Sequence, residues 1–496
     1  MTDVRLPSSP VLTCAAAAEL EARLFGGCEA KESAAMQAAG AAVATAIQND
    51  AREIGGLGSA PSLLVLAGKG HNGGDALIAT AGILRELPAA TAAIVLAFGE
   101  RTLRPLALRA WRELQAAAGS RVRVLQPDAV RVGGRYDLVV DGLFGFQYRP
   151  PVTPDIAALL GAVDSVAGRL RAAVDLPSAD LFRADFTYAT GSVKAPVLHS
   201  ERAGRIRYLD LGFFREPHAP IDATEAVLTA ELLEPLRALR PSRSDKRHYG
   251  HVFLAGGSRS FPGAILMAAM AAVRSGAGLV SVFVPEALVP AYAARLPEAM
   301  WVGCPETPAG GLALEGEHLL RERLSRASAL VLGPGADRDP ETLALFCSLV
   351  GSVSVPVVLD ADALQPAVVA AARPSVVLTP HAGEYRRIAG EQPLVDFAQD
   401  RPGRVVVLKG PVAQISSGGR VYHSLAGGPV LARGGSGDLL AGMIGTQLAQ
   451  APGEPLTAAG RAVLWHGLAA DELARARGQV AVATTELLDH LAPALR

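Results

Sequence analysis

Short runs of consecutive apolar residues alternate along this chain with longer Ala/Leu/Arg stretches of helical spacing. In the first half the runs are 63–67, 93–97, 138–141 and 172–175; in the second they are 251–255, 329–332, 356–360, 376–379 and 405–408. Strands without a polar face, separated by helices, predict parallel sheets covered on both sides. The expected fold class is therefore α/β, with two doubly wound domains. A polar, proline-bearing interval from Arg215 to Arg243 divides the two series. It predicts a boundary between residues 220 and 240, taken as domains 1–225 and 226–496. The Ala/Glu-rich stretch after Val11 reads as helices leading into the first sheet. The most apolar span, 263–284, is broken by Arg274, Gly276 and Gly278, and reads as a buried helix followed by a strand, not a membrane span.

Composition narrows the function classes. A chain of 496 residues exceeds a single core. Its net charge is −1, with no basic stripe and no acidic tail, so neither a nucleic-acid partner nor a membrane partner is expected. Cys14, Cys28, Cys304 and Cys347 are scattered without a C-x-x-C pair, which argues against a disulfide framework or a zinc site and fits a reducing cytosol. No basic patch followed by an apolar core opens the chain, so no secretory leader is expected. A homo-oligomer is expected.

Polar residues recur just beyond the predicted strands, where ligands bind in such sheets. Ala432-Arg433-Gly434-Gly435-Ser436-Gly437-Asp438 precedes an apolar helical run. Bare glycine amides at a helix start form an anion cradle, and a carboxylate beside it could remove a proton from an attacking group. A helix N-cap explains Asp438 equally well from local sequence. The same alternative stands for Asp75 in Gly68-Lys69-Gly70-His71-Asn72-Gly73-Gly74-Asp75. Asp141 and Asp175 end two further strands, and three carboxylates at one sheet edge beside a glycine loop point to a ligand site. In the second half, Lys409 reads as a phosphate contact or a solvated cation, and His381 as a ligand contact or a turn residue.

Taken together the motifs resemble one family, the bifunctional NAD(P)H-hydrate repair enzymes, which join an NAD(P)HX epimerase to an ADP-dependent (S)-NAD(P)HX dehydratase. The strings G-G-S with P-G-A, G-P-G, D-A-D-A-L, T-P-H-x-G-E, L-K-G and G-G-S-G-D occur in that order between Gly256 and Asp438. The resemblance implies a Rossmann-like N-terminal domain and a ribokinase-like C-terminal domain. It implies that Ala264, Gly335 and His381 contact the hydrated nucleotide, and that Lys409, Gly410, Pro411, Val412, Ala413 and Gly437 hold ADP, or ATP, with Mg2+. Asp438 would accept the proton of the substrate hydroxyl as it attacks the terminal phosphoryl group. Loss of phosphate then yields NAD(P)H and AMP.

In the N-terminal half the resemblance implies substrate contacts at His71, Asn72, Gly73, Gly74, Asp75 and Asp175, with Asp175 also catalytic. Asn72, Asp141 and Ser178 would supply oxygens to K+, and Lys194 ends the motif that begins at Ala184. This half departs from the family pattern. His71 stands for Asn, Ala76 for Gly, Gly142 for Ala, Gly145-Phe146-Gln147-Tyr148 for a G-T-G-type turn, and the segment after Ser178 is shortened. Bulk near a phosphate predicts a crowded cradle and slow or absent epimerisation. The competing readings are an ATP-dependent ribokinase-like small-molecule kinase, and a non-catalytic nucleotide-binding N-terminal module.

Overall fold

The computed structural model describes residues 4–130, 134–215, 223–373 and 375–496. They fall into two compact units. One comprises Ser9–Ala223 with Ala474–Gln479; the other comprises the chain up to Ser8, Thr224–Leu473 and Val480–Arg496.

The sheet of the N-terminal unit runs, in space, Val122–Val124, Thr91–Leu96, Ser62–Ala67, Arg135–Gly142, Ala167–Val174, Phe186–Thr190 and Arg205–Leu209, all parallel. Strand order reverses between Ser62–Ala67 and Arg135–Gly142, which opens a crevice beyond their carboxyl ends. Helices Glu29–Ala51, His71–Glu86 and Pro105–Ala118 cover one face through Val43, Ile47, Leu77, Ile83 and Trp111. Helix Pro154–Asp164 covers the other through Ile156, Leu160 and Val163. Each such fully buried aliphatic side chain contributes about 1.5–3 kcal/mol.

In the C-terminal unit the order is Met300–Cys304, Leu279–Pro285, His251–Ala255, Ala329–Leu332, Val357–Leu359, Val376–Leu378, Arg404–Leu408, Ala413–Ser416, Val421–Ser424 and Glu225–Leu228. The first seven strands are parallel, but Arg404–Leu408, Ala413–Ser416 and Val421–Ser424 form an antiparallel meander. The expectation of a wholly parallel sheet is corrected there, because tight turns replace the crossover helix that parallel pairing needs. The apolar span resolves into helix Pro262–Arg274 and strand Leu279–Pro285. Helix Ser436–Gln450 packs on Pro262–Arg274 so closely that a Cβ on Gly442 would lie 2.0 Å from the Ala268 carbonyl oxygen. No described helix is long and apolar enough to cross a membrane, and all four cysteines are free.

Candidate functional site

In the C-terminal unit the site is built around the start of helix Ser436–Gln450. Gly435 precedes it at φ 94°, a left-handed conformation that costs glycine little, and a Cβ there would lie 2.4 Å from Met267 Sδ. Asp438 lies in the first turn. The N-cap is Gly435, with no side-chain cap bond, so capping does not account for Asp438. Burial, then the nearby charge of Asp360, pushes the Asp438 carboxyl up to about 7, with Lys409 opposing.

Lys409 is not a solvated loop cation. Its Nζ lies 2.9 Å from Asp360 Oδ1 and 3.9 Å from Glu384 Oε2. Burial works against the ammonium, but Asp360 and Glu384 outweigh it and raise its pKa above the usual lysine value. Asp360 is buried and also accepts from Thr379 Oγ1 at 2.7 Å. Gly410, Pro411 and Val412 form the turn that leads from Lys409 into strand Ala413–Ser416. A Cβ on Gly437 would stand 3.2 Å from Lys409 Nζ, so these two residues meet. Gly437→Val is accordingly expected to displace the lysine and cover the helix amides, weakening adenine-nucleotide binding at least tenfold by calorimetry.

The Lys409 N–H donates to the Pro380 carbonyl at 2.8 Å, which draws the ends of two strands together. His381 caps helix Ala382–Ala389. Its Nδ1 accepts from the Gly383 and Glu384 amides at 2.9 and 3.3 Å, and Glu384 Oε2 accepts from the His381 N–H at 2.8 Å. An accepting Nδ1 in the neutral ring places the proton on Nε2, and the side chain is exposed. Gly335 sits at φ 64°, and its Cβ would lie 3.0 Å from that of Ala264, so these residues adjoin. Two residues escaped the sequence reading. Asp360 was visible only as part of a motif. His466, buried with an unpartnered Nε2 and held by burial at about 4, carried no signal.

In the N-terminal unit, a cavity of about 450 Å³ opens at the strand-order reversal, lined among others by His71, Asn72, Asp75, Asp175 and Lys194. Lys194 is buried and its Nζ lies 2.5 Å from Asp175 Oδ1. Asp175 itself holds φ 67°, a strained conformation for a residue with a side chain, and its Oδ2 accepts from the Phe146 N–H at 3.3 Å. Asp75 lies in the second turn of helix His71–Glu86, whose N-cap is Gly70, so it is no cap. The exposed His71 lies 3.8 Å from Glu32. Gly73 and Gly74 are buried and do not line the cavity. A Cβ on Gly73 would strike the Gly68 carbonyl at 2.1 Å, and one on Gly74 the Met36 sulfur at 2.5 Å.

Below the cavity, Asp141 and Ser178 are buried together. Ser178 donates through Oγ to Asp141 Oδ1 at 2.6 Å and through its N–H to Oδ2 at 2.7 Å. Asn72 Nδ2 donates to the Phe144 carbonyl at 2.9 Å, and the Phe144 N–H to Ser178 Oγ at 2.9 Å. Burial raises the Asp141 carboxyl to about 6 against these hydrogen bonds. The Phe144 backbone thus links the half-buried Asn72 to the buried Asp141–Ser178 pair.

The departures can be placed in the structure. Phe146, Gln147 and Tyr148 line the cavity, and none of residues 179–183 does. Ala76 is fully buried, and a Cβ on Gly142 would lie 2.3 Å from its Cβ. The extra methyl at 76 is therefore matched by the missing one at 142. Gly142→Ala alone is expected to destabilise the unit by about 1–3 kcal/mol through overpacking, and Ala76→Gly/Gly142→Ala to regain part of it, since the new Cβ would still lie 2.8 Å from the Asn72 carbonyl oxygen, measured by denaturant unfolding.

The motif order, now joined to two sites of this geometry, matches known proteins over both halves. The family described as NAD(P)H-hydrate dehydratase matches residues 252–493, and that described as YjeF-related protein N-terminus matches 32–194. The bifunctional NAD(P)H-hydrate repair enzyme of Moorella thermoacetica is 33% identical over 467 residues, covering 88% of this chain and 87% of that protein. The chain belongs to the bifunctional NAD(P)H-hydrate repair enzyme family. The repair enzyme of Gloeobacter violaceus is 35% identical over 488 residues, covering 92% of each. Among solved structures, an ADP/ATP-dependent NAD(P)H-hydrate dehydratase from Bacillus subtilis is 27% identical, covering 54% of this chain and 96% of that one, at a TM-score of 0.45. Family membership across both halves favours repair over a small-molecule kinase.

Proposed function

We propose that the C-terminal unit dehydrates the (S)-hydrates of NADH and NADPH at the expense of ADP, giving NAD(P)H, AMP and phosphate. The observation that carries this reading is the set formed by Asp438, Lys409 and Asp360. Asp438 takes the proton from the substrate hydroxyl. Lys409, oriented by Asp360, and the amides at the start of helix Ser436–Gln450 offset charge on the transferring phosphoryl group. Asp360, Asp362, Glu384 and Asp438 all act electrostatically at this point. Such an acidic surround would repel a bare polyphosphate, which supports a nucleotide arriving with Mg2+. When bound, Mg2+ supplies charge neutralisation. The test is consumption of the separated hydrates with and without ADP: one AMP per (S)-hydrate is expected, and a phosphorylated product that accumulates would overturn the reading.

We further propose that the N-terminal unit interconverts the (R)- and (S)-hydrates. The open cavity carrying the buried Asp175–Lys194 pair supports this, and the exposed cations Lys69, Arg104 and Arg149 on its lining suit a dinucleotide's phosphates. The oxygens of Asn72, Asp141 and Ser178 fit a weakly hydrated monovalent cation such as K+, whose charge would stabilise the buried Asp141 carboxylate.

A further inference from the structure

One group on the cavity wall, Asp75, to which the resemblance gives only a substrate contact, has no chemical part in this. Asp75 is 8% exposed, and its Oδ1 is shielded from water without a hydrogen-bond partner. It lines the same cavity as Asp175 and Lys194 but comes from a different element, helix His71–Glu86. Burial, then the charges of Asp175 and Glu21, pushes its carboxyl well above the usual range, and Lys194 offsets this only in part. The other charged groups on that cavity wall are Glu32 and His71, 3.8 Å apart, with Lys69, Arg104 and Arg149. Lys194 is engaged by Asp175. Of the four carboxyl groups on this wall, Glu21, Glu32, Asp75 and Asp175, Asp175 is ion-paired with Lys194 and Asp75 keeps a buried oxygen without a partner, and two carboxyls in such different surroundings are how one site holds an acid and a base.

We propose that Asp75 is a catalytic residue of the N-terminal site, the general acid that works with the Asp175–Lys194 pair. The assignment rests on reading this unit as an epimerase. Hydration leaves the hydroxyl on a carbon bonded to the ring nitrogen. Asp75 gives its proton to that hydroxyl as the C–O bond breaks; the nitrogen lone pair forms the C=N bond, and neutral water leaves. Water then adds to the opposite face, the C=N pair returns to nitrogen, and the proton released goes to the Asp175 carboxylate. One proton has moved from Asp75 to Asp175, and exchange with solvent resets both.

The experiment uses the full chain, pure (R)-hydrate, potassium and no ADP, with the two hydrates separated over time. Asp75→Asn is expected to slow interconversion at least a hundredfold, while the same preparation dehydrates (S)-hydrate with ADP at the wild-type rate. The wild-type rate should fall at high pH as Asp75 loses its proton, and the residual rate of Asp75→Asn should lack that limb. Asp75→Ala should regain rate in proportion to added formic acid, a response that a merely structural aspartate would not give. Near-normal interconversion by Asp75→Asn, or an unchanged high-pH limb, overturns the assignment while leaving the epimerase reading intact. No acceleration over buffer by the wild type overturns both.

Discussion

Asp438→Asn is expected to abolish dehydration of the (S)-hydrate, lowering turnover on the order of a hundredfold to ten-thousandfold, with adenine-nucleotide affinity within a few-fold of wild type. The amide keeps the size of the carboxyl and leaves Lys409 and the helix start in place, but it cannot accept the substrate's proton. The pH dependence carries a definite sign. Burial and the charge of Asp360 set the Asp438 carboxyl at about 7, and the base must be ionised to work. Wild-type turnover should therefore fall as pH drops below about 7, and the residual rate of the variant should not follow that limb. Steady-state kinetics on the (S)-hydrate and calorimetry with ADP check the two halves; near-normal turnover would remove Asp438 from its role.

Lys194→Met should both destabilise and inactivate the N-terminal unit. Lys194 and Asp175 have side chains 1% and 5% exposed and 2.5 Å apart. Removing the ammonium strands a carboxylate in the interior, which costs about 3–5 kcal/mol. Met fills the space but supplies no charge. Lys194→Met/Asp175→Asn should recover most of the stability, since an amide needs no counter-charge and Asn tolerates the left-handed backbone that position 175 adopts. It should recover none of the epimerisation. Denaturant unfolding and interconversion of the hydrates, measured on both variants, separate the two effects; a Lys194→Met chain as stable as wild type would contradict the buried pair.

How much was legible varies with the environment of each element. Strands such as Ser62–Ala67 and Ala329–Leu332 are buried on both faces, so their residues must be apolar in succession and announce themselves. Val122–Val124 and Arg205–Leu209 lie at the two edges of their sheet and carry arginines, a composition that blunts an edge and also hides it. Phe186–Thr190 is wholly buried, yet its threonines break the apolar run. Of the meander from Arg404 to Ser424 only the run 405–408 stands out in the sequence, because the later members are short and partly polar.

The sites divide in the same way. Sequence alone determined the chemistry available and its order along the chain: the glycine loop before Asp438, the Lys409 and His381 motifs, the carboxylates at strand ends, and through these the family. Those are local facts, because a cradle or a cap needs a few residues in fixed succession. Tertiary structure decided the state of each group. It paired Lys409 with Asp360 from 49 positions away and Lys194 with Asp175. It denied Asp75 and Asp438 the capping roles their neighbours allowed, and matched Ala76 to Gly142. Charge state, orphaned atoms and compensating methyls depend on what the fold brings within a few ångströms. Burial in a medium of low dielectric multiplies the energy of each such contact, and no local pattern records which partner will be there.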